Sequence, residues 1–560
     1  MLSVNGNVVT VTTKTLTAIF DCGVLLSLKA KDGTEYLENV SAEKGDALEL
    51  VYMNNEVVPV KKGSVSEIRT IQLSPTRAAV RFDSWDANGT ILIGEDEATG
   101  EVTVEPEAFS SRSGVMSCRF VINNIASRLK IVAPLYQGIR MDCNDPLLRN
   151  GRFIWPISWE AGMCIFEGDN GGFWVHTQDS RYIYKALVTG YKENGMSVAF
   201  DTDAYGPLDN NLSAGGLIWR INVFNGDYKV PASEYKNWLW KTYNLEKAES
   251  ERPDWLHEIG AAVSWCPTKL DVLEALSKRA NAKKILLHVP NWRNYIYDQN
   301  YPDFTPSKEA CEFISKAVEL GFKVLPHANI VDMDPSMPHY QYLQDFKYIH
   351  HQSKKLLGWG WSDGRVLGVP DSNKALLNNR DKNVMIKVHP GLALWRAMLA
   401  ECIKDSLDKL GNITKAVFTD VTLCSHNLHN CLVDNTTSTE GMKMIIREIA
   451  SINGGIAVGG EGLNEITMQE LTVAQAHLFN SHQTTHEALS RTGKCDLNNF
   501  MFGKICRTFG YSGLSGRNED EELRMRIHEE HGAIPTITIS SAEQILNPNR
   551  AVKSVLERTL

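Results

Sequence analysis

Near residue 250 the hydrophobic rhythm of this sequence changes, and that change fixes two different folds in one chain. Upstream, apolar and polar residues alternate in short runs: Val8-Val9-Thr10-Val11, Ala78-Ala79-Val80-Arg81-Phe82 and Gly172-Phe173-Trp174-Val175-His176. A period of two puts neighbouring side chains on opposite faces of a strand. Turn signals separate the runs, at Lys31-Asp32-Gly33, Asn88-Gly89 and Asn225-Gly226. Short strands at this spacing predict an all-β domain over residues 1–245, a large two-sheet sandwich. A linker follows. Pro231-Ala232-Ser233-Glu234-Tyr235 opens a helix through Trp238 to Tyr243, and the charged run Glu246 to Pro253 is expected to break it.

Downstream, short apolar strands alternate with amphipathic helices. The strands are Ile259–Trp265, Lys284–Val289, Phe322–Ala328, Lys415–Asp420, Ile456–Gly460 and, near the end, Ala533–Thr538. Helices are expected at Thr268–Ala280, Ser307–Leu320 (stopped by Gly321), Leu392–Leu410, Glu440–Ile452 and Arg550–Leu560. Alternating β and α means parallel strands joined by crossover helices. The fold class is therefore α/β plus all-β: a β-sandwich followed by a (β/α)8 barrel over 246–560, with an open doubly wound sheet as the competing topology. The segment 331–390 is too long for a plain connection. After a third barrel strand it falls on the face where active sites sit.

Composition narrows the function classes. Acidic residues (67) exceed basic ones (58), giving a net charge of −9, and no long basic run occurs. That argues against nucleic acid or an anionic membrane as partner. There is no apolar run of about 18 residues, as a membrane helix needs, and the N-terminus lacks the basic and apolar regions of a signal peptide. The expectation is a cytoplasmic protein, or a secreted one whose signal has been removed. Eleven cysteines, an odd number, show no CxxC pair and no zinc spacing. There is no GxGxxG after the first barrel strand, no GxxxxGK[ST] and no GxSxG, so nothing calls for a cofactor or a serine nucleophile. Cys424 is a nucleophile candidate with no supporting motif.

In a barrel, polar residues at the C-terminal ends of strands point into the active site. Asp420 ends Val417-Phe418-Thr419-Asp420. Glu461 ends Ile456-Ala457-Val458-Gly459-Gly460-Glu461-Gly462, where glycines admit close approach. Neighbouring strand ends put the two carboxyls roughly 5–10 Å apart. Such a pair is the machinery of glycoside hydrolysis, one group attacking or activating water and the other protonating the leaving oxygen. The bland alternatives are an Asp that caps a helix and a solvated Glu in a glycine turn. Glu465 is the fallback acid. His288, Trp292, His327, His426 and Asn427 also follow strand ends, and with Trp265 they would wall a polar pocket with aromatic rings, as a sugar requires. His327, Asp332 and Asp334 give a competing reading, a metal-dependent barrel hydrolase. A non-catalytic carbohydrate-binding protein on a degenerate barrel is the third.

Several motifs carry a resemblance. They are Phe224-Asn225-Gly226-Asp227-Tyr228, Tyr235-Lys236-Asn237-Trp238, His389-Pro390-Gly391 ahead of Trp395-Arg396, Phe418-Thr419-Asp420-Val421-Thr422 and Gly459-Gly460-Glu461-Gly462-Leu463-Asn464-Glu465. The chain resembles the bacterial glycoside hydrolases related to the endo-α-N-acetylgalactosaminidases and the α-N-acetylgalactosaminidases, as a separate branch with their sandwich-plus-barrel layout. The resemblance implies a retaining hydrolase of α-linked galactose- or N-acetylgalactosamine-type sugars, working without a metal. Asp420 would be the nucleophile, carrying a β-linked glycosyl ester, and Glu461 the acid/base. Trp265, His288, Trp292, His327, His426, Asn427 and Glu465 would hold the carbohydrate substrate.

Overall fold

A computed structural model describes the chain except for residues 61–64, 84–85, 193–194, 296, 298, 349–357, 360–384, 423–429, 477–492 and 511–520. Two compact units emerge: Met1–Thr242 with Asn427–Leu432, and Tyr243–His426 with Val433–Leu560.

The first unit is built of antiparallel sheets. Leu2–Asn5, Val8–Thr12, Leu16–Asp21 and Val24–Ala30 form a four-stranded meander. In Val8–Thr12 and Leu16–Asp21 alternate residues are buried, the pattern a period of two dictates. A ten-stranded sheet and a six-stranded sheet complete the sandwich-like unit. Trp155, Trp159, Trp174 and Trp219 are fully buried, and Trp159 stacks on Trp219 with ring centres 6.2 Å apart. These tryptophans form the core. One expected turn is absent. Asn88-Gly89 lies inside the strand Ala87–Asp96, where Asn88 pairs with Phe109 and Gly89 with Ala108 and Phe82. Strands on both sides override the local turn preference.

The helix Lys229–Tyr243 forms as the linker sequence predicts, but the charged run does not break it. Asn244, in the left-handed region at φ 53°, makes the break, and a second helix, Leu245–Ser250, takes up the charged residues. Glu, Lys and Ala are good helix formers, so charge alone does not end a helix.

In the second unit eight parallel strands follow one another in chain order: β1 (Ala261–Val263), β2 (Ile285–Val289), β3 (Lys323–Asn329), β4 (Ala416–Asp420), β5 (Ala457–Glu461), β6 (Val473–Ala476), β7 (Arg507–Gly510) and β8 (Thr536–Ile537). β8 pairs with β1 through Ala262–Thr536 and Val263–Ile537. A parallel bridge between Phe509 and Ile534 joins β7 to the residues before β8. The sheet thus closes as a (β/α)8 barrel, and the open-sheet alternative falls. Leu286, Leu325, Phe418, Val473, Phe509 and Ile534 cluster as its apolar core. Of the crossover helices, the one over Lys308–Leu320 carries the expected stop at Gly321 and a side-chain cap at its start. In α1 (Leu270–Arg279) the buried side is Val272, Leu273, Ala275 and Leu276. α2 (Lys308–Leu320) starts where Ser307 Oγ accepts the Ala310 N–H at 3.1 Å, and it stops at Gly321, φ 98°, a conformation a side chain would oppose. α3 (Ala393–Lys409) and α4 (Ser438–Ala450) flank β4 in sequence. Within 331–390 the described residues include a small sheet of Asp332–Met333, Met385–Lys387 and Gly358–Trp359.

Candidate active site

The site is assembled where β4 and β5 end. Asp420 is the last residue of β4 and Glu461 the last of β5, and both are buried. The parallel register pairs Thr419 with Gly460, so the two carboxylates occupy neighbouring strand ends. Their side chains share a hydrogen bond.

Local backbone creates this juxtaposition. Val421 has φ 68°, rare for a β-branched residue and a strain of roughly 1–3 kcal/mol. The turn aims its N–H at Glu461 Oε2, 3.0 Å away. One residue on, the Thr422 hydroxyl clamps the backbone of Glu461 from both sides: it accepts the Glu461 N–H at 2.6 Å and donates to the Glu461 carbonyl at 2.6 Å. Gly460 makes the clamp possible. A Cβ there would stand 2.8 Å from Leu471 and 2.9 Å from Thr422 Oγ1.

Asp420 is held by further donors. The Tyr297 hydroxyl donates to Oδ2 at 3.1 Å. His327 Nε2 lies 3.2 Å from the same oxygen, within ion-pair range but not aligned as a hydrogen bond. Burial alone would raise the pKa of Asp420. The field of His327, with the hydrogen bonds from Glu461 and Tyr297, outweighs it and holds this carboxyl below the ordinary carboxylate range. Glu461 moves the opposite way. Burial first, then the charge of Asp420 and the hydrogen bond to it, raise its pKa well above the ordinary glutamate value. One site therefore holds an anionic carboxylate against a protonated one. With Asp420 held anionic, the proton of their shared hydrogen bond resides on Glu461.

Trp265 ends the β1 segment, also in the left-handed region at φ 56°, and is half-buried. Its ring lies 5.2 Å from that of Tyr297, which lies 5.2 Å from His327. His288 and His327 are buried and joined at 3.0 Å, Nε2 to Nδ1. Trp265, His288 and His327 thus gather around Asp420. Trp292 stands behind them: its indole is fully buried, and Nε1–H donates to the His327 carbonyl at 2.7 Å. It supports β3 and offers no face to a ligand. Glu465 is buried in the turn after β5, where its carbonyl accepts from Gln469 Nε2 at 2.9 Å. His426, Asn427 and Cys424 lie outside the described residues.

The metal reading loses its ligands to protein donors. Asp332 accepts from Lys387 Nζ and Asn329 Nδ2, both at 2.9 Å. Asp334 accepts from the Asn300 amide at 2.8 Å and from the Ser336 amide and hydroxyl at 2.9 and 2.7 Å. Among the described residues no group of three or more His, Cys, Asp or Glu comes together to hold a metal. A cavity of about 830 Å³ opens at the other end of the barrel, against Lys415, Ile456, Ala457 and Thr472 at the starts of β4, β5 and β6. It is remote in fold position from the carboxylates.

Sequence reasoning missed Tyr297, Thr422 and Lys387. Thr422 stands in the same motif as Asp420, and Lys387 two residues before His389-Pro390-Gly391. Tyr297 sits in the loop after β2 with only its aromatic neighbour Tyr295 as a signal.

The family described as a domain of unknown function, DUF6259, matches residues 218–510. No curated protein matches the sequence significantly. Among solved structures, ligand-free α-N-acetylgalactosaminidase NagBb from Bifidobacterium bifidum is 11% identical with a TM-score of 0.67, covering 98% of this chain and 93% of that one. The N-acetylgalactosamine complex of the same enzyme gives 10%, 0.64, 100% and 93%. A GH31 family sulfoquinovosidase from E. rectale, bound to an aza-sugar inhibitor, gives 10%, 0.53, 100% and 82%. At such identities the likeness shows a shared fold.

Proposed function

The chain belongs to the DUF6259 family, and we propose that it is a retaining glycoside hydrolase of α-linked galactose- or N-acetylgalactosamine-type sugars. The observation that carries this reading is the Asp420–Glu461 pair: two buried carboxyls in direct contact, one held anionic and the other protonated. Burying them costs free energy that a mere binding protein has no reason to retain. Contact at neighbouring strand ends fits the short separation of retaining enzymes, about 5–5.5 Å, better than the roughly 6.5–9.5 Å that leaves room for a water.

In the proposed reaction Asp420 attacks the anomeric carbon from the β face. The bond to the leaving oxygen breaks, and that oxygen takes the Glu461 proton. A β-linked glycosyl ester forms on Asp420. Glu461, now a carboxylate, takes a proton from water, which attacks the same carbon and releases the sugar with its α configuration. The half-buried Trp265 ring, beside Tyr297, offers an apolar face to the sugar. The fold shared with NagBb, an α-N-acetylgalactosaminidase, supports the choice of sugar class.

The test is a panel of α- and β-linked nitrophenyl glycosides of galactose, N-acetylgalactosamine, glucose and fucose. Release from an α-galactose-type member by the wild type, abolished in a folded Asp420→Asn variant, is the expected result. Undiminished release by Asp420→Asn would end the assignment.

A further inference from the structure

We propose that the sandwich unit carries a second carbohydrate site, in which Phe109 and Tyr205 stack on a neutral glycan chain and Glu107 accepts hydrogen bonds from its hydroxyls. The proposal goes beyond the hydrolase reading and does not depend on it, since binding there needs no turnover.

The strand Glu101–Ser110 departs from its own pattern. From Val102 onward, buried residues alternate with the outward Thr103, Glu105, Glu107 and Phe109. A period of two places polar residues on the solvent side of such a strand. Three of the four obey. The fourth is a phenylalanine left 52% exposed, without the gain that burying an aromatic ring brings. Tyr205, just past the strand Gly195–Asp203, is 46% exposed. Both rings line one cavity of about 530 Å³, within the roughly 300–1,000 Å³ of ligand pockets.

Sheet register supplies the polar side. Opposed residues of antiparallel strands project to one face. Asn88 and Ser213 flank Phe109 on the strands Ala87–Asp96 and Ser213–Gly215. One row along, Arg81, Thr90 and Glu107 stand abreast on three strands, and Gly215 opposite Glu107 brings no side chain. Gly216 widens the gap, because a Cβ there would meet no atom within 4 Å. The cavity thus opens beside Glu107, where side chains would otherwise have filled it. Among the described residues, the side chains of Thr90, Glu107 and Ser213 make no hydrogen bond or ion pair, so they face outward with their bonding capacity unused. Phe109 and Glu107 are two residues apart on one face, about 7 Å along the strand. A sugar ring stacked on Phe109 therefore brings its hydroxyls within reach of Glu107.

This combination matches one ligand chemistry. A pyranose has an apolar face of C–H groups and a rim of hydroxyls. An exposed aromatic ring takes the face, and a carboxylate accepts from two hydroxyls at once. Arg81 already lies 3.9 Å from Asp83, which leaves Glu107 as the unpaired charge. An unpaired carboxylate repels phosphate, sulfate and uronate groups and so selects a neutral chain. A protein partner fits less well, because two aromatic rings around a polar cavity lack the continuous apolar centre of a protein interface.

Affinity electrophoresis of the full chain tests the site. Native gels are cast with galactomannan, xyloglucan or desialylated mucin, and Asp420→Asn protein is run so that the glycan is not consumed. Retardation relative to a glycan-free gel is expected in at least one of the three. Phe109→Ala, Tyr205→Ala and Glu107→Gln should each weaken the apparent affinity by about fivefold to tenfold, the loss of one contact. The Phe109→Ala/Tyr205→Ala double variant should lose most of the retardation. All three side chains are exposed, so the variants keep the fold, which an unchanged melting temperature verifies. Absence of retardation in all three gels, or retardation undiminished in the double variant, would overturn the site. A dimer in sedimentation that Phe109→Ala dissolves would also overturn it, by making this face a contact between copies. In an otherwise wild-type chain, Phe109→Ala should leave the hydrolysis of small nitrophenyl glycosides unchanged. A protein inert on every glycoside therefore defeats the hydrolase reading alone, while the gels judge the second site.

Discussion

Thr422→Val tests the clamp that places the acid. Valine matches threonine in shape and removes only the hydroxyl. In the native site that hydroxyl accepts the Glu461 N–H and donates to the Glu461 carbonyl, both at 2.6 Å, and Thr422 is fully buried. The ladder between β4 and β5 ends at Thr419–Gly460, so Thr422 replaces the strand partner that Glu461 would otherwise have. The variant leaves two buried backbone groups without their partner, at roughly 1–3 kcal/mol apiece. Local relaxation recovers part, leaving a loss of about 2–4 kcal/mol. For a unit of this size that lowers Tm by roughly 3–8 °C. Glu461 shifts with its backbone, and a displacement of about 1 Å at a catalytic group lowers kcat by roughly a hundredfold. Thermal unfolding and steady-state kinetics measure both, with Thr422→Ser, which keeps the hydroxyl, restoring most of each. A Thr422→Val protein that melts within about 1 °C of wild type and turns over at full rate would refute the reasoning, because the clamp would then carry neither stability nor geometry.

Glu461→Gln is expected to cut kcat/KM by about 10²–10⁴ on glycosides with poor leaving groups and far less on nitrophenyl glycosides, which need little protonation, while kcat falls on both because hydrolysis of the ester loses its base. Activity requires Asp420 ionised, a state its lowered pKa preserves until strong acid, and Glu461 protonated. The kcat profile should therefore fall on its alkaline side as Glu461 ionises, and the Gln variant should lose that limb. Stability carries the same sign. The folded-state pKa of Glu461 is raised, so its contribution is full below the unfolded value and is lost as pH rises through the folded one. Melting scans from about pH 5 to about pH 9 should show the wild type losing stability relative to Glu461→Gln. Lys387→Met should destabilise by about 3–5 kcal/mol in urea unfolding, because it strands the buried Asp332 carboxylate, and the double variant with Asp332→Leu should recover most of that loss. Gly441→Ala should lower Tm clearly, since a Cβ there would stand 2.3 Å from the Gly391 nitrogen and 2.5 Å from the Pro390 carbonyl carbon, driving α4 off the His389-Pro390-Gly391 segment.

The fold class was legible because its signals are periodic. An alternation of two and a β/α alternation both extend over many residues, so local exceptions such as Asn88-Gly89 do not alter the outcome. Strand and helix ends were less legible. The reading extended β1 from Ile259 to Trp265, yet only Ala261–Val263 pair, because Trp265 turns into a left-handed conformation that composition does not announce. The carboxylate pair was legible from strand-end position alone. Its support was not. Thr422 acts through the strained φ of Val421, and Tyr297 reaches Asp420 from a loop whose path no period describes. Trp292 shows the converse limit: an aromatic beside a strand end reads the same whether it faces a ligand or, as here, the His327 carbonyl.

The central claim is that Asp420 forms the bond to the sugar. Asp420→Gly removes the nucleophile and opens space at the end of β4 for a small anion. Incubated with an activated α-glycoside and azide, this variant is expected to regain turnover and to yield the β-glycosyl azide, identified by the coupling constant of its anomeric proton. Hydrolysis by Asp420→Gly at the wild-type rate without azide, or an azide product of α configuration, would contradict the account.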